Sequence, residues 1–344
     1  MRDRLRKAAK KLAYRGGALS LRHVVEHADT LTVVMFHRVL DRADPRWAEA
    51  NPADTVSAAF FADCLRFFRR HYAVVALADV MRAAGGGGGL PRRALLITFD
   101  DGWSDNLRYA APLLREHGLP AVVFVAVEAV AAAEPEWWQE RVYGAFRTGA
   151  IGAEGRARLA AAAAAVPGGA CIDRPGEPEV LALIARLSQV DPDRRTALIA
   201  GLPPREAGAR MMLTAAELPR LRAAGVEIGV HGYSHAPLTM LADPAGDLAR
   251  ARDGLRALAD GHGEPDALAI PHGRFDEDVI AAAQRIGYKL VFTSRPHINR
   301  LAPGRRPAGR VLGRIVVEQG PLSDPRGRLN SEEMATWLFL RPMQ

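Results

Sequence analysis

The sequence predicts an α/β protein in which short buried strands alternate with helices, the rhythm of a parallel sheet or barrel. Two observations carry this prediction. Apolar runs rich in strand formers (Leu31–Phe36, Leu95–Phe99 and Val226–Val230) stop abruptly at polar residues. Between them lie segments of helical spacing, as where Phe60, Phe61, Cys64, Leu65 and Phe68 share one face. One strand end organises the rest: Leu95-Leu96-Ile97-Thr98-Phe99 runs into Asp100-Asp101-Gly102. Two adjacent carboxylates at a strand mouth allow two readings. One is a turn with Asp as helix N-cap; the other is a pair in which one carboxylate binds a metal and its neighbour handles protons.

The elements follow in order. Leu31 to His37 reads as a buried strand ending in histidine, and Ser57 as the cap of the helix that carries Phe60 to Phe68. Tyr72 to Leu77 gives a short strand and Ala78 to Ala84 a helix. Gly85 to Gly89 is a flexible loop without the Lys-Ser/Thr ending of a phosphate loop. After the Asp-Asp strand come a helix from Asp105 to His117 and the strand Ala121 to Ala126.

From about 127 to 212 the rhythm changes to an alanine-rich helical insertion. It has helical runs at 155–165 and 180–187, breaks at 167–169 and 175–176, and apolar anchors in Trp137, Trp138, Val142, Tyr143 and Phe146. The α/β alternation resumes with a helix over 216–224 and a strand from Val226 to His231. Helices at 245–258 and 277–286 then alternate with strands at 267–271, 288–293 and 311–317. Ser331 caps a last helix on which Trp337, Leu338 and Leu340 dock. The division is thus a basic N-terminal helix (1–24), a barrel domain (25–325) with its insertion, and a C-terminal helical tail (326–344).

Composition narrows the function. At 344 residues, 49% hydrophobic and 25% charged, the chain suits a soluble globular protein. Its +7 charge is local: residues 1–24 carry eight basic side chains against Asp3, and the remainder is balanced. A neutral body argues against nucleic acid as partner. No apolar stretch follows the N-terminal charges as in a secretory signal, and no window is long enough to span a membrane. A cytoplasmic or inner-membrane-associated location is therefore expected. Leu5, Ala9, Leu12 and Ala13 form a thin apolar face that suggests a weak peripheral membrane contact, with a solvated or docked helix as the alternative. Cys64 and Cys171 make neither a disulfide framework nor a metal cluster.

Chemistry is concentrated at strand ends: His37, Asp100-Asp101 and His231, where barrel strands converge on one mouth. His231 is followed four residues later by His235, and the two reach one ion if the loop continues into a helical turn. Two imidazoles and a carboxylate would leave coordination positions open for water and substrate. Hydrolysis of an amide or ester then needs a base for the water proton and an acid for the leaving group.

Thr98-Phe99-Asp100-Asp101-Gly102 and His231-Gly232-Tyr233-Ser234-His235 resemble the first two motifs of the polysaccharide deacetylases, the NodB-homology or carbohydrate esterase family 4 group. Pro271-His272-Gly273 is similar to the family's Pro-aromatic-Gly turn. The resemblance implies a distorted (β/α) barrel of about seven strands and a divalent metal, usually Zn2+. It also implies hydrolysis of N-acetyl groups on an amino-sugar glycan, in a polysaccharide or a lipid-linked precursor. By position, Asp100 would be the base, and Asp101, His231 and His235 the metal ligands.

Three departures stand out: Gly232 replaces the usual Ser/Thr, no arginine precedes Pro271, and the C-terminal Leu-x-His that supplies the acid is absent. Met35-Phe36-His37 is similar to the motif of the permuted poly-N-acetylglucosamine (exopolysaccharide) deacetylase branch, which makes His37 the expected acid and His272 the runner-up. Trp103, Pro271, His272, Gly273 and Arg314 are candidate substrate contacts, with packing as the alternative for the tryptophan. The competing functions are a deformylase or small-amide hydrolase on the same scaffold and a catalytically inactive carbohydrate-binding relative.

Overall fold

The computed structural model describes residues 12–132, 137–147, 177–202, 210–259 and 265–344, with scattered helical positions between 155 and 164. The first eleven residues of the basic segment, much of the 155–165 run and the breaks at 167–169 and 175–176 lie outside the described residues. Among the described residues no helix is long and apolar enough to cross a membrane.

The chain divides into two compact units. The larger comprises residues 1–41, 53–132 and 211–344. Its strands in chain order are β1 (Thr30–Phe36), β2 (Arg38–Leu40), β3 (Thr55–Ser57), β4 (Ala73–Val74), β5 (Ala94–Phe99), β6 (Ala121–Val125) and β7 (Val226–Val230). There follow β8 (Ala267–Ala269), β9 (Leu290–Phe292), β10 (Asn299–Ala302), β11 (Arg306–Pro307), β12 (Val311–Leu312) and β13 (Ile315–Val316). The main sheet runs β11-β10-β1-β5-β6-β7-β8-β9-β12. From β1 to β12 every neighbouring pair is parallel. β10 and β11 add an antiparallel edge, so the sheet is mixed.

Residues 311–316 curl this sheet back on itself. β12 pairs with β9, and β13 in the same extended segment pairs with β1 at the other side. The sequence predicts one unbroken strand here. It is interrupted because the Gly313 N–H donates to the Asn299 side chain at 2.8 Å and the neighbouring Arg314 turns into the interior.

β1, β5 and β6 are buried throughout. Alternation sends Val34, Phe36, Ile97, Phe99, Val123 and Val125 to the face packed by the surrounding helices, and Val33, Leu96, Val122 and Phe124 to the other. Burial on both faces explains why these strands read as continuous apolar runs rather than alternating ones.

Local chemistry sets most boundaries. Ser57 Oγ accepts from the Phe60 N–H and starts the helix Ala58–His71. The cap of the last helix, Ser331–Phe339, is Asn330 rather than Ser331; its Oδ1 accepts from the amides of Glu332 and Glu333. Leu338 and Phe339 are buried there, while Leu340 is exposed. The expected strand 72–77 shortens to β4, because the helix Leu77–Ala84 begins soon after it.

The second unit comprises residues 42–52 and 133–210, so the predicted insertion also takes in a distant strip of chain. Its helices Trp138–Arg147, Glu177–Leu187 and Pro192–Ile199 bury Val142, Tyr143, Val180, Leu183, Leu187 and Ile199 together. Trp138 lies under the Arg195 guanidinium at 4.6 Å, and Trp137 is buried. Both tryptophans therefore anchor this unit.

Candidate active site

Parallel strands bring their C-terminal ends to one rim. β1 delivers His37 there, β5 delivers Asp100 and Asp101, β7 delivers His231, and β8 delivers Pro271.

The two carboxylates are adjacent in sequence and held by different partners. Asp100 is gripped by Arg314, whose two Nη groups donate to its two carboxylate oxygens at 2.6 and 2.7 Å. The guanidinium is fixed in turn by an Nε–H bond to the Thr293 carbonyl at 3.2 Å, and it is 1% exposed. Burial would raise the Asp100 pKa, but the charges of Arg314 and His231 outweigh it and hold the group below the usual carboxylate range. Asp100 is therefore a carboxylate able to accept a proton.

Asp101 faces the histidines. Its Oδ1 lies 3.4 Å from His231 Nε2 and 3.1 Å from His235 Nε2. Its Oδ2 accepts from Trp103 Nε1–H at 2.9 Å. Despite burial, the imidazoles draw its pKa well below the ordinary value. His231 Nδ1 donates to the Ala269 carbonyl at 2.9 Å, which fixes the ring with Nε2 turned toward Asp101. Burial lowers the pKa of His235 and favours the neutral, ligating form. Among the described residues, Asp101, His231 and His235 are the group whose donor atoms converge closely enough to hold a metal ion. The donor set, the fixed His231 ring and the Trp103 bond to Asp101 fit a divalent cation with open positions.

The turn that carries the histidines is not the helical turn expected. Gly232 and His235 have φ of +72° and +55°, so the ligands meet across a tight left-handed bend. Asp247, buried in the helix Pro244–Leu258, stabilises this bend by accepting from the amides of Tyr233 at 2.9 Å and Ser234 at 3.1 Å. A Cβ at position 232 would lie 2.9 Å from Pro271 Cγ, which with the positive φ explains the glycine. Asp101 and His272 also have positive φ, at +75° and +55°. Backbone strain of this kind concentrates at working sites.

His37 lies across the rim with its Nδ1 4.0 Å from Asp54 Oδ1 and 21% of its side chain exposed. Burial alone would lower its pKa; Asp101, Asp54 and Asp100 together reverse the sign and raise it. The segment is pinned from the helix after β5. Asn106 Nδ2 donates to the His37 carbonyl at 2.9 Å, and Asp105 takes both the Arg38 Nε–H and the Val39 N–H. That helix opens with a wide turn over Asn106–Ala110, where the sequence predicts a regular helix throughout.

The candidate substrate contacts are largely committed elsewhere. Trp103 is 1% exposed, Arg38 covers its ring at 4.4 Å, and its N–H serves Asp101, so it presents no face to a sugar. Arg314 reaches Asp100 rather than the opening. Pro271 is buried. His272 packs on His235 with ring centroids 4.6 Å apart, and its Nε2 bonds the His235 carbonyl at 3.0 Å. Its pKa falls to about 3, chiefly through burial, and its Nε2–H is engaged by the His235 carbonyl.

The sequence profile of the polysaccharide deacetylases matches residues 87–150 and 198–291. This chain belongs to the polysaccharide deacetylase family. The match covers Asp100, Asp101, His231, His235 and Pro271, while His37 and Arg314 lie outside it.

Solved structures of similar fold agree. The deacetylase PplD of Streptococcus pyogenes, in complex with acetate, aligns with a TM-score of 0.56 at 16% identity, over 90% of this chain and 98% of that one. IcaB of Ammonifex degensii aligns at 0.55 and 20% identity, over 90% and 97%. A de-N-acetylase of Aggregatibacter actinomycetemcomitans aligns at 0.53 and 15%, over 90% and 99%. The fold is accordingly the curled, NodB-like α/β barrel of that family. No curated protein sequence matches the chain.

Asp54, Asp105, Asn106 and Asp247 are site-supporting residues that sequence reasoning misses. Asp105 reads there only as a helix start. Asp247 gives no signal, because its partners lie 13 and 14 residues away across a turn.

Proposed function

We propose that this protein is a divalent-metal-dependent deacetylase that hydrolyses N-acetyl groups on amino sugars of a bacterial polysaccharide or lipid-linked glycan precursor, with Zn2+ as the expected metal. The observation that carries the reading is the division of the Asp pair. Arg314 holds Asp100 as a fixed carboxylate, while Trp103, His231 and His235 converge on Asp101.

In this mechanism Asp101, His231 and His235, whose facing atoms are Oδ1, Nε2 and Nε2, would hold the cation. When bound, it supplies Lewis acidity that polarises the acetyl carbonyl and makes water easier to deprotonate. Asp100 accepts the proton of the attacking water. Its bidentate pair with Arg314 keeps it ionised and stops it from rotating toward the histidines. His37 delivers a proton to the departing amine. The charges of Asp101, Asp54 and Asp100 raise its pKa and so favour the imidazolium that this step needs. The acetyl group leaves as acetate and the sugar as free amine.

The test is metal content together with acetate release from N-acetylglucosamine oligosaccharides. About one zinc per chain with acetate release, abolished in Asp100→Asn while metal is retained, supports the reading. Metal-loaded wild type that binds glycan and releases no acetate would overturn it in favour of a binding relative. Release of formate alone from formamido sugars would assign a deformylase.

A further inference from the structure

Among the described residues the exposed large hydrophobic side chains are Leu12, Leu21, Val24, Val25, Val311 and Leu340. Four of these six fall between residues 12 and 26. The helix Ala18–Glu26 is two-sided: Leu19 and His23 face the core, while Leu21, Val24 and Val25, at i, i+3 and i+4, form an outward ridge. Leu21 and Val25 are each 66% exposed, and Leu12 is 74% exposed. A surface helix that only covered the core would be polar at these positions.

Basic side chains outnumber acidic ones around this segment. Arg15 and Arg22 lie on the same segment, in contact with Glu332 and Glu26 respectively. A groove of about 350 Å³ beside Tyr14 is lined by Arg66, Arg70 and Arg328, with Asp63 as the carboxylate that bonds Arg66 and Arg328. The sequence before Leu12 adds Arg2, Arg4, Arg6, Lys7, Lys10 and Lys11 against Asp3.

We infer that this end of the protein is a peripheral membrane-docking surface for a bilayer containing anionic phospholipid. Leu12, Leu21, Val24 and Val25 enter the interfacial layer, and the arginines beside them meet the headgroup phosphates. A second copy of the chain is the poorer occupant, because a two-fold contact through this patch would bring the cationic clusters face to face. The ridge also lacks the aromatic anchors on which protein interfaces rely. Docking leaves the catalytic rim open: the helix precedes β1 and His37 follows it, with seven strand residues, or about 23 Å, between. The inference is independent of the proposed reaction.

The experiment is co-sedimentation of the full chain with vesicles of phosphatidylcholine alone or mixed with phosphatidylglycerol. Binding is expected only to the mixed vesicles, and it should weaken several-fold at about 0.5 M salt. Leu21→Asp/Val25→Asp should reduce partitioning about tenfold or more, as should Arg66→Glu/Arg70→Glu, while Val311→Asp binds as wild type. Thermal melting checks that each variant is folded, and the two independent pairs guard against loss of one. Wild type that ignores anionic vesicles, or folded pairs that both bind as wild type, would overturn the inference. So would a wild-type dimer, seen by light scattering, that Leu21→Asp/Val25→Asp dissolves.

Discussion

Arg314 closes on Asp100 from the segment that pairs on the far edge of β1, 214 residues further along the chain, with both partners buried. The pair joins a strand end of β5 to the segment that closes the sheet against β1. Barrel closure and orientation of the proposed base are therefore one structural event. Arg314→Met should cost about 3–5 kcal/mol of stability, since it leaves a buried carboxylate without its charge partner. It should also lower kcat more than KM. Arg314→Lys should recover part of the stability but little of kcat, because an ammonium cannot hold both oxygens. Denaturant melts and steady-state kinetics on the metal-loaded protein check both.

Asp100→Asn should reduce acetate release about 10²–10⁴-fold and leave metal content unchanged. His235→Ala should lose the metal itself. Metal analysis of the two dialysed variants separates the role proposed for Asp100 from that of the ligand set.

His37→Asn should act in proportion to the leaving group. An acetamide needs its nitrogen protonated, so its hydrolysis should fall about 10²–10⁴-fold. An aryl acetate expels a phenolate unaided and should fall far less. Equal losses on both substrates would remove His37 from the acid role.

Asp247→Ala should leave the barrel folded but free the amides of Tyr233 and Ser234. Metal affinity should fall about 10–100-fold, the usual effect of losing a group that orients the ligands from behind. Titration against a chelator reads this directly.

Acid should destabilise the fold through a buried histidine chain far from the active site. His23 Nδ1 lies 2.9 Å from His27 Nδ1, and His23 Nε2 bonds the His71 carbonyl at 3.2 Å. Phe339 stacks on His23 at 4.0 Å. Burial lowers the pKa of His23 to about 3 and that of His71 to about 4, and lowers that of His27 as well. The folded state thus refuses protons that the unfolded chain accepts near 6.5. The contribution is complete above about pH 6.5 and is lost progressively as the pH falls toward about 3–4, on the order of a few kcal/mol in total. His23→Phe should flatten this dependence in denaturant melts run from about pH 7 to about pH 4.

Much of the site was legible in the sequence because its chemistry sits at strand ends. Leu95–Phe99 announces a buried strand by its composition, and the residues just past such a strand must emerge at the rim. The same logic found His37 and His231. It could not pair Arg314 with Asp100, because that residue reads as one cation in an arginine-rich stretch (Arg305, Arg306, Arg310, Arg314) until the barrel closes. For Trp103 it found the residue and left its role open, because a ring beside a catalytic strand looks the same whether it faces a sugar or lies under Arg38.

By itself, the sequence determined what depends on neighbours along the chain: the strand–helix alternation, the caps such as Ser57, the Asp-Asp pair and the spacing of His231 and His235. Tertiary structure alone decided which partner each charge meets. Arg314 with Asp100, Asp54 with His37, and Asp247 with the 231–235 bend are all pairings across the fold. Each joins residues far apart in the chain or across a turn, and at buried positions the partner decides how a carboxylate is held and which way it faces.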